Sequence, residues 1–199
     1  MTFKEKVKNI WDYDKWYILG GIAAAVALFF FVKDIFFKEK FDYTVVYQGI
    51  GYMSETEIAS FETVISSFAE DINGDGKKNA DLINVEFSKA DESRPQLDRD
   101  KNTLLMTELA MQENCIFIME KERLLAIYEN DTKYFTDLSS ICESLEENTL
   151  FIEIKNTVLY EELPFLDGDL VLMLRRPYNE KYNDIYDNCR KYVESILNS

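Results

Sequence analysis

Seventeen consecutive residues without a charge, Trp16 to Val32, "WYILGGIAAAVALFFFV", constrain this chain more than any other feature. A helix that crosses a bilayer needs roughly 17–25 largely apolar residues, because the hydrocarbon core is about 30 Å thick and a helix rises about 1.5 Å per residue. Trp11, Tyr13, Trp16 and Tyr17 crowd the N-terminal edge of the run, as aromatic side chains do at a membrane interface. Lys33 and Lys38 can reach water from the other edge, which carries the effective span to Phe37. A cleaved signal peptide fits less well, since "LFFFV" continues past the small residues of "AAAVA" and no A-x-A site follows. Lys4, Lys6, Lys8 and Lys15 precede the span, against Lys33, Lys38 and Lys40 after it, a slight positive-inside bias. The expected organisation is a cytoplasmic tail at 1–15, a single-pass signal-anchor in the cell membrane at 16–37, a linker at 38–41 and an extracytoplasmic domain at 42–199.

Charge is concentrated in that last part. The chain carries a formal −15, but residues 1–40 hold seven lysines and five acids, which leaves 15 basic and 32 acidic residues, net −17, for 41–199. Such a field repels nucleic acid and anionic membrane surfaces, and attracts cations or a basic partner. There is no histidine, so histidine-based triads, histidine-ligated zinc and imidazole acid–base catalysis are excluded. Cys115, Cys142 and Cys189 form no C-x-x-C pair. Cys115 and Cys189 lie in apolar patterns and read as core residues, while a Cys142–Cys189 bridge is chemically open to an exported domain.

The exported part alternates strand and helix patterns. "FDYTVVYQGIG" reads as a strand ending near Tyr47, and "SETEIASFETVISSFAE" opens with a capping box of Ser54 and Glu57. Ile58, Phe61, Val64, Ile65 and Phe68 make its buried stripe. "LINVEFS", "CIFIM", "LFIEIKN" and "DLVLMLRR" are further strands. "TLLMTELAMQEN", "KERLLAIYEN" and residues 179–198 are helices, the last with Tyr182, Ile185, Tyr186, Cys189, Val193, Ile196 and Leu197 on one face. Residues 90–102 read as a charged loop. Strands separated by helix-length segments predict an α/β domain with a mostly parallel sheet and helices on both faces.

Three places carry chemistry. In "DINGDGKKNAD", Asp71, Asn73, Asp75, Gly76 and Lys77 match the first seven positions of an EF-hand calcium loop, and Asn79 suits position 9. Position 12 is Leu82, so Asp81, one residue early, is the expected closing carboxylate. A plain Asn/Asp/Gly turn is the competing reading. "GIGYMS" supplies Gly49 and Gly51 of a dinucleotide fingerprint, but the third glycine is replaced by Ser54, better explained as the helix cap. Arg175 and Arg176 close a strand, and Tyr47, Gln48 and Tyr52 close another. Ligands of open α/β sheets bind at the carboxyl ends of strands, so all five are candidate ligand contacts. Surface ion pairs, for the arginines, and strand-end packing, for the rest, are the plainer alternatives.

The loop start D-x-N-x-D-G-x-x-N resembles dockerin calcium loops, though it enters a strand and lacks their final acid. "TLLMTELAMQEN", "CIFIMEK" and "YFTDLSS" resemble the first lobe of bacterial extracellular solute-binding proteins over residues 42–140. The whole chain is similar to a group of single-pass bacterial proteins with a basic tail, one span, a D-x-N-G-D-G loop and such a domain. One lobe is too small to clamp a ligand, so the transport function of the solute-binding proteins is not carried over; the expectation from the span, the loop and the sheet edge is a non-enzymatic, membrane-anchored domain with a structural Ca²⁺, binding a small solute, a peptide or a partner protein. The alternative it leaves is an accessory subunit of a membrane transport or secretion complex.

Overall fold

The computed structural model describes residues 3–36, 40–88, 95–128, 135–166 and 168–199. The chain divides into two compact units, residues 1–40 and 41–199. The first is one helix, α1 (Phe3–Phe36). At about 1.5 Å per residue its 34 residues run roughly 50 Å, more than a bilayer core requires. Its window Lys15–Val32 is long and apolar enough to cross a membrane, with a mean hydropathy of 1.9 and no part of it buried against protein.

The second unit has a five-stranded sheet in the order β2-β1-β3-β5-β4. In chain order the strands are β1 (Tyr43–Ile50), β2 (Ala80–Phe87), β3 (Ile116–Glu120), β4 (Ile152–Glu153) and β5 (Leu170–Leu174). The helices are α2 (Glu55–Ser67), α3 (Pro95–Ala110), α4 (Lys121–Tyr128), α5 (Val158–Glu162) and α6 (Asn183–Leu197). The strand period of two separates the faces cleanly. Val45, Tyr47, Ile116, Ile118, Leu172 and Leu174 pack with α2, α5 and α6 residues such as Phe61, Ile65, Leu159 and Val193. Val46, Phe117, Met119, Val171 and Met173 pack with Leu105 of α3 and Leu124 of α4. The α/β class and the helices on both faces are as expected.

The sheet is mixed, which corrects the expected mostly parallel arrangement. β1 pairs in parallel with β2 and β3, but β5 runs antiparallel to both β3 and β4. The physical reason is that a buried strand reads as the same apolar run in either direction. "DLVLML" carries no mark of its sense.

Local chemistry explains most element ends. Ser54 Oγ accepts from the Glu57 N–H at 3.3 Å, and Glu57 Oε2 accepts from the Ser54 N–H at 2.7 Å, completing the capping box. α3 begins at Pro95, eight residues before the expected Thr103; proline suits the first helical turn, where its missing N–H would have no partner. "LFIEIKN" contributes only the two residues of β4 before a 3₁₀ turn at Ile154–Asn156. The linker residues 38–39, the loop start 90–94 and the helix end 129–130 lie outside the described residues.

α6 buries Cys189, Tyr192, Val193 and Ile196. Tyr192 stacks on Tyr43 at 4.5 Å between ring centroids, and its hydroxyl donates to the Ile65 carbonyl at 2.7 Å. Cys189 faces Cys115 across the core, thiol to thiol, and that contact first, then burial, pushes the Cys189 thiol up. Cys142 instead lies 3.0 Å from Ser144 Oγ, so Cys142 and Cys189 are not partners here.

Candidate functional site

The parallel strands β1, β2 and β3 end together, and their carboxyl ends are where polar side chains collect. Gly49 pairs with Glu86 and Gln48 with Met119, so Tyr47, Gln48, Glu86 and Glu120 share one edge of the sheet. Two cavities flank that edge and share Ile50 and Glu120. One, of about 520 Å³, opens on the α2 face among Tyr47, Tyr52, Glu57, Glu86, Glu120 and Phe165. The other, of about 580 Å³, opens on the α3–α4 face among Gln48, Phe87, Asp98, Glu120 and Arg123. Both volumes lie in the range of small-molecule sites, roughly 300–1,000 Å³.

Tyr47 forms the floor of the first cavity. Its ring meets Phe61 edge-on at 5.4 Å between centroids, and the residue is only 5% exposed. A Cβ on Gly49 would stand 2.0 Å from the Tyr47 hydroxyl, so the absence of a side chain at position 49 is what lets the phenol lie over the strand end. That clearance accounts for a glycine in "GIGYMS". Among the described residues the hydroxyl has no hydrogen-bond partner. Burial first, then the carboxylates of Glu86 and Glu120, push the phenol well above its ordinary pKa, so it stays protonated.

Glu86 is 7% exposed, and its Oε1 accepts from the Met53 N–H at 2.6 Å. No cation pairs with it among the described residues. Gly168, at φ +99°, passes so close to Glu120 that a Cβ there would lie 2.9 Å from its Oε1. Gln48 is buried on the opposite face and its Oε1 accepts from the Glu120 N–H at 3.1 Å, which fixes the end of β3. Tyr52 is half exposed, with its hydroxyl 3.0 Å from Ser88 Oγ. In the second cavity the Arg123 guanidinium lies 3.8 Å over the Phe87 ring and donates to Asn102 at 2.6 Å.

Of the five expected ligand contacts, Tyr47, Gln48 and Tyr52 meet at this edge. Arg175 and Arg176 do not. Leu174 pairs with Ile116, the first residue of β3, so the antiparallel β5 ends at the opposite edge of the sheet. There Arg175 is buried and donates to the carbonyls of Leu109 and Met111 and, at 2.8 Å, of Asn114. Arg176 is exposed and lines neither cavity. Glu86 and Glu120 were missed, although an acid closing each of "LINVEF" and "CIFIME" is a legible signal once those runs are taken as parallel strands.

The loop between α2 and β2 is a separate feature. Asp71 Oδ1 accepts from the Gly74 N–H at 2.7 Å and Oδ2 from the Gly76 N–H at 2.9 Å. Asn73 and Asp75 accept from the N–H groups of Asp75 and Lys77. Gly74 and Gly76 both take positive φ, +75° and +82°. Asp42, just before β1, holds the loop from beneath through the N–H groups of Ile72, Asn73 and Asn79 at 2.9–3.1 Å. Each carboxylate oxygen that accepts one N–H keeps a second lone pair, and the buried Asn79 Oδ1 has no partner. The oxygens at positions 1, 3, 5 and 9 therefore suit a hard cation. The closing acid does not: Asp81 sits in β2 and faces α3, where burial first, and then the Asp81 charge, raise the Glu108 carboxyl. Among the described residues no three acidic or thiol side chains form a ready metal cage.

Compared with known protein families, curated proteins and solved structures, the chain matches none.

Proposed function

We propose that this protein is a membrane-anchored, extracytoplasmic, non-enzymatic binding domain that takes a solute at the carboxyl edge of β1, β2 and β3. The observation that carries the reading is Tyr47: a buried phenol with no partner among the described residues, opening onto a cavity of about 520 Å³. Its hydroxyl faces the cavity, where it can donate to or accept from a ligand atom. The site also lies where ligands of α/β sheets dock. The anchor reading rests on the apolar window Lys15–Val32.

Amide NMR of the full chain in lipid nanodiscs, titrated with pools of small polar solutes and short peptides, tests the site. Binding is expected to shift Gly49–Met53, Glu86–Ser88 and Glu120. Tyr47→Phe keeps the ring against Phe61 and removes only the hydroxyl, and is expected to weaken those shifts while leaving the fold intact. Shifts confined to other surfaces would overturn the assignment.

The loop is proposed to take Ca²⁺ weakly, through Asp71, Asn73, Asp75, Asn79 and the Lys77 carbonyl, with water completing the shell. The orphaned Asn79 oxygen favours this over a bare turn. An ion at about ten times its Kd stabilises by about 1.4 kcal/mol. That is a rise of roughly 3–5 °C in the unfolding midpoint of a domain this size. Melts in millimolar calcium or chelator, with Asp75→Ala alongside, check it. An unchanged midpoint would leave a hydrogen-bonded turn and no ion site.

A further inference from the structure

We infer that Cys115 and Cys189 close into a disulfide in an oxidising environment and so fasten α6 to the head of β3. Both thiols are free in this structure, which therefore describes the reduced state. Residues 116–188 separate them in the chain, and neither sits in a C-x-x-C motif. The fold brings them together. Cys115 leads into β3, the middle strand of the sheet, and its carbonyl accepts from the Arg175 N–H at 2.8 Å. Cys189 lies on the buried face of α6 with Tyr192, Val193 and Ile196. The two are 0% and 4% exposed in one apolar cluster, and the Cys189 S–H meets the Cys115 sulfur within hydrogen-bond reach.

A pair of small core residues would explain the burial but not sulfur against sulfur. A thiol is a weak donor and a weak acceptor, so the contact contributes little while reduced. Oxidation turns it into a covalent tie across residues 116–188, which removes much of the freedom of the unfolded chain. The third cysteine does not compete, because Cys142 Sγ lies 3.0 Å from Ser144 Oγ. The Cys189 contact, opposed by burial and helped by the Arg175 charge, holds the Cys115 thiol below its ordinary pKa. The pair thus favours one thiolate, the form that exchanges with a disulfide.

The co-reactant is a disulfide of low molecular weight, RS–SR. One protein thiolate attacks a sulfur of it, a mixed disulfide forms as RS–SR breaks, and RS⁻ leaves. The other thiolate attacks the protein sulfur of that mixed disulfide and expels the second RS⁻. Two protein thiols are oxidised, one small disulfide is reduced to two thiols, and the protons lost by the protein pass to the leaving groups. Both sulfurs are buried, so exchange runs through a local opening of α6, and redocking of the helix brings them together. Disulfides persist outside the cytoplasm, so where the bridge forms in the cell rests on the extracytoplasmic reading above. The pairing itself does not.

Glutathione buffers test it. The full chain in nanodiscs is equilibrated from reduced to oxidised ratios, in urea below the unfolding transition so that α6 opens, and free thiols are then labelled with a maleimide after denaturation. The reduced chain is expected to take label at all three cysteines and the oxidised chain at Cys142 alone, with peptide mapping joining Cys115 to Cys189. Oxidation is expected to raise the unfolding midpoint by about 5–8 °C, the effect of closing a loop this long less some strain. Cys142→Ser is expected to keep that rise, and Cys115→Ala and Cys189→Ala each to abolish it. The oxidised and reduced wild-type chains decide the matter alone should either alanine variant fail to fold. Label at all three cysteines in the most oxidising buffer, a link mapped to Cys142, or a midpoint that oxidation leaves unchanged or lowers would each overturn the pair. A bridge that forms in glutathione but is absent from cells blocked with maleimide before lysis would leave the pair standing and count against the extracytoplasmic reading.

Discussion

Arg175→Met is expected to lower the unfolding midpoint by about 10 °C, the largest effect of any single substitution at a predicted contact. Arg175 is buried, and its guanidinium collects the carbonyls of Leu109, Met111 and Asn114. The first two lie at the carboxyl end of α3, where helix carbonyls lack intrahelical donors and the macrodipole favours a cation. The guanidinium also stands 5.2 Å from the Phe117 ring. Methionine fills similar space but donates nothing. Each buried acceptor left unpaired costs about 1–3 kcal/mol, and partial rehydration brings the three to about 3–4 kcal/mol together. For a domain this size that is roughly 10 °C. Arg175→Lys keeps the charge, but one ammonium cannot span three carbonyls in a plane, so about half the loss is expected to remain. Differential scanning calorimetry of the three proteins measures it. A change under about 2 °C for the methionine variant would mean that water serves these carbonyls as well as Arg175 does.

The same geometry explains why the arginines and the tyrosines looked alike in sequence. "LMLRRP" and "VVYQGIG" each end an apolar strand in polar side chains. If all strands ran the same way, both ends would share an edge. β5 runs against β3, so Tyr47 and Arg175 finish at opposite edges. Strand direction is decided by which connection the chain can close, and that is a property of the whole sheet rather than of six residues.

What local chemistry controls was legible. The capping box at Ser54 and Glu57 depends on two side chains and four residues of backbone, and it forms as expected. Burial of Phe61 and Ile65 follows from their spacing on α2. What depends on partners distant in sequence was not. Tyr192 reads as one aromatic in a polar segment, yet it stacks on Tyr43 and bonds to Ile65, 127 residues away. Glu86 looks like a solvent-facing residue of an alternating strand, and becomes notable only when the Met53 N–H donates to it and it joins Glu120 in lining one cavity.

Asp42→Ala is expected to cost about 2–4 kcal/mol, a fall of roughly 6–12 °C, and to cost it equally in calcium and in chelator. In sequence Asp42 is an unremarked acid between Phe41 and the first strand. In the fold it is 8% exposed and its two oxygens take three N–H groups from the 71–79 loop. Its own N–H donates to the Asn79 carbonyl at 3.0 Å, so loop and strand are tied at both ends. Hydrogen bonds to a charged acceptor contribute about 1.5–3 kcal/mol each, and rehydration of the exposed loop returns part of that. Asp42→Asn keeps one acceptor oxygen and is expected to lose about half as much. The independence from calcium is the informative part. Asp42 spends its oxygens on the backbone that positions Asp71, Asn73 and Asp75. An Asp42→Ala loss that vanished in chelator would make Asp42 a ligand instead, the closing carboxylate that Asp81, held in β2, is not placed to supply.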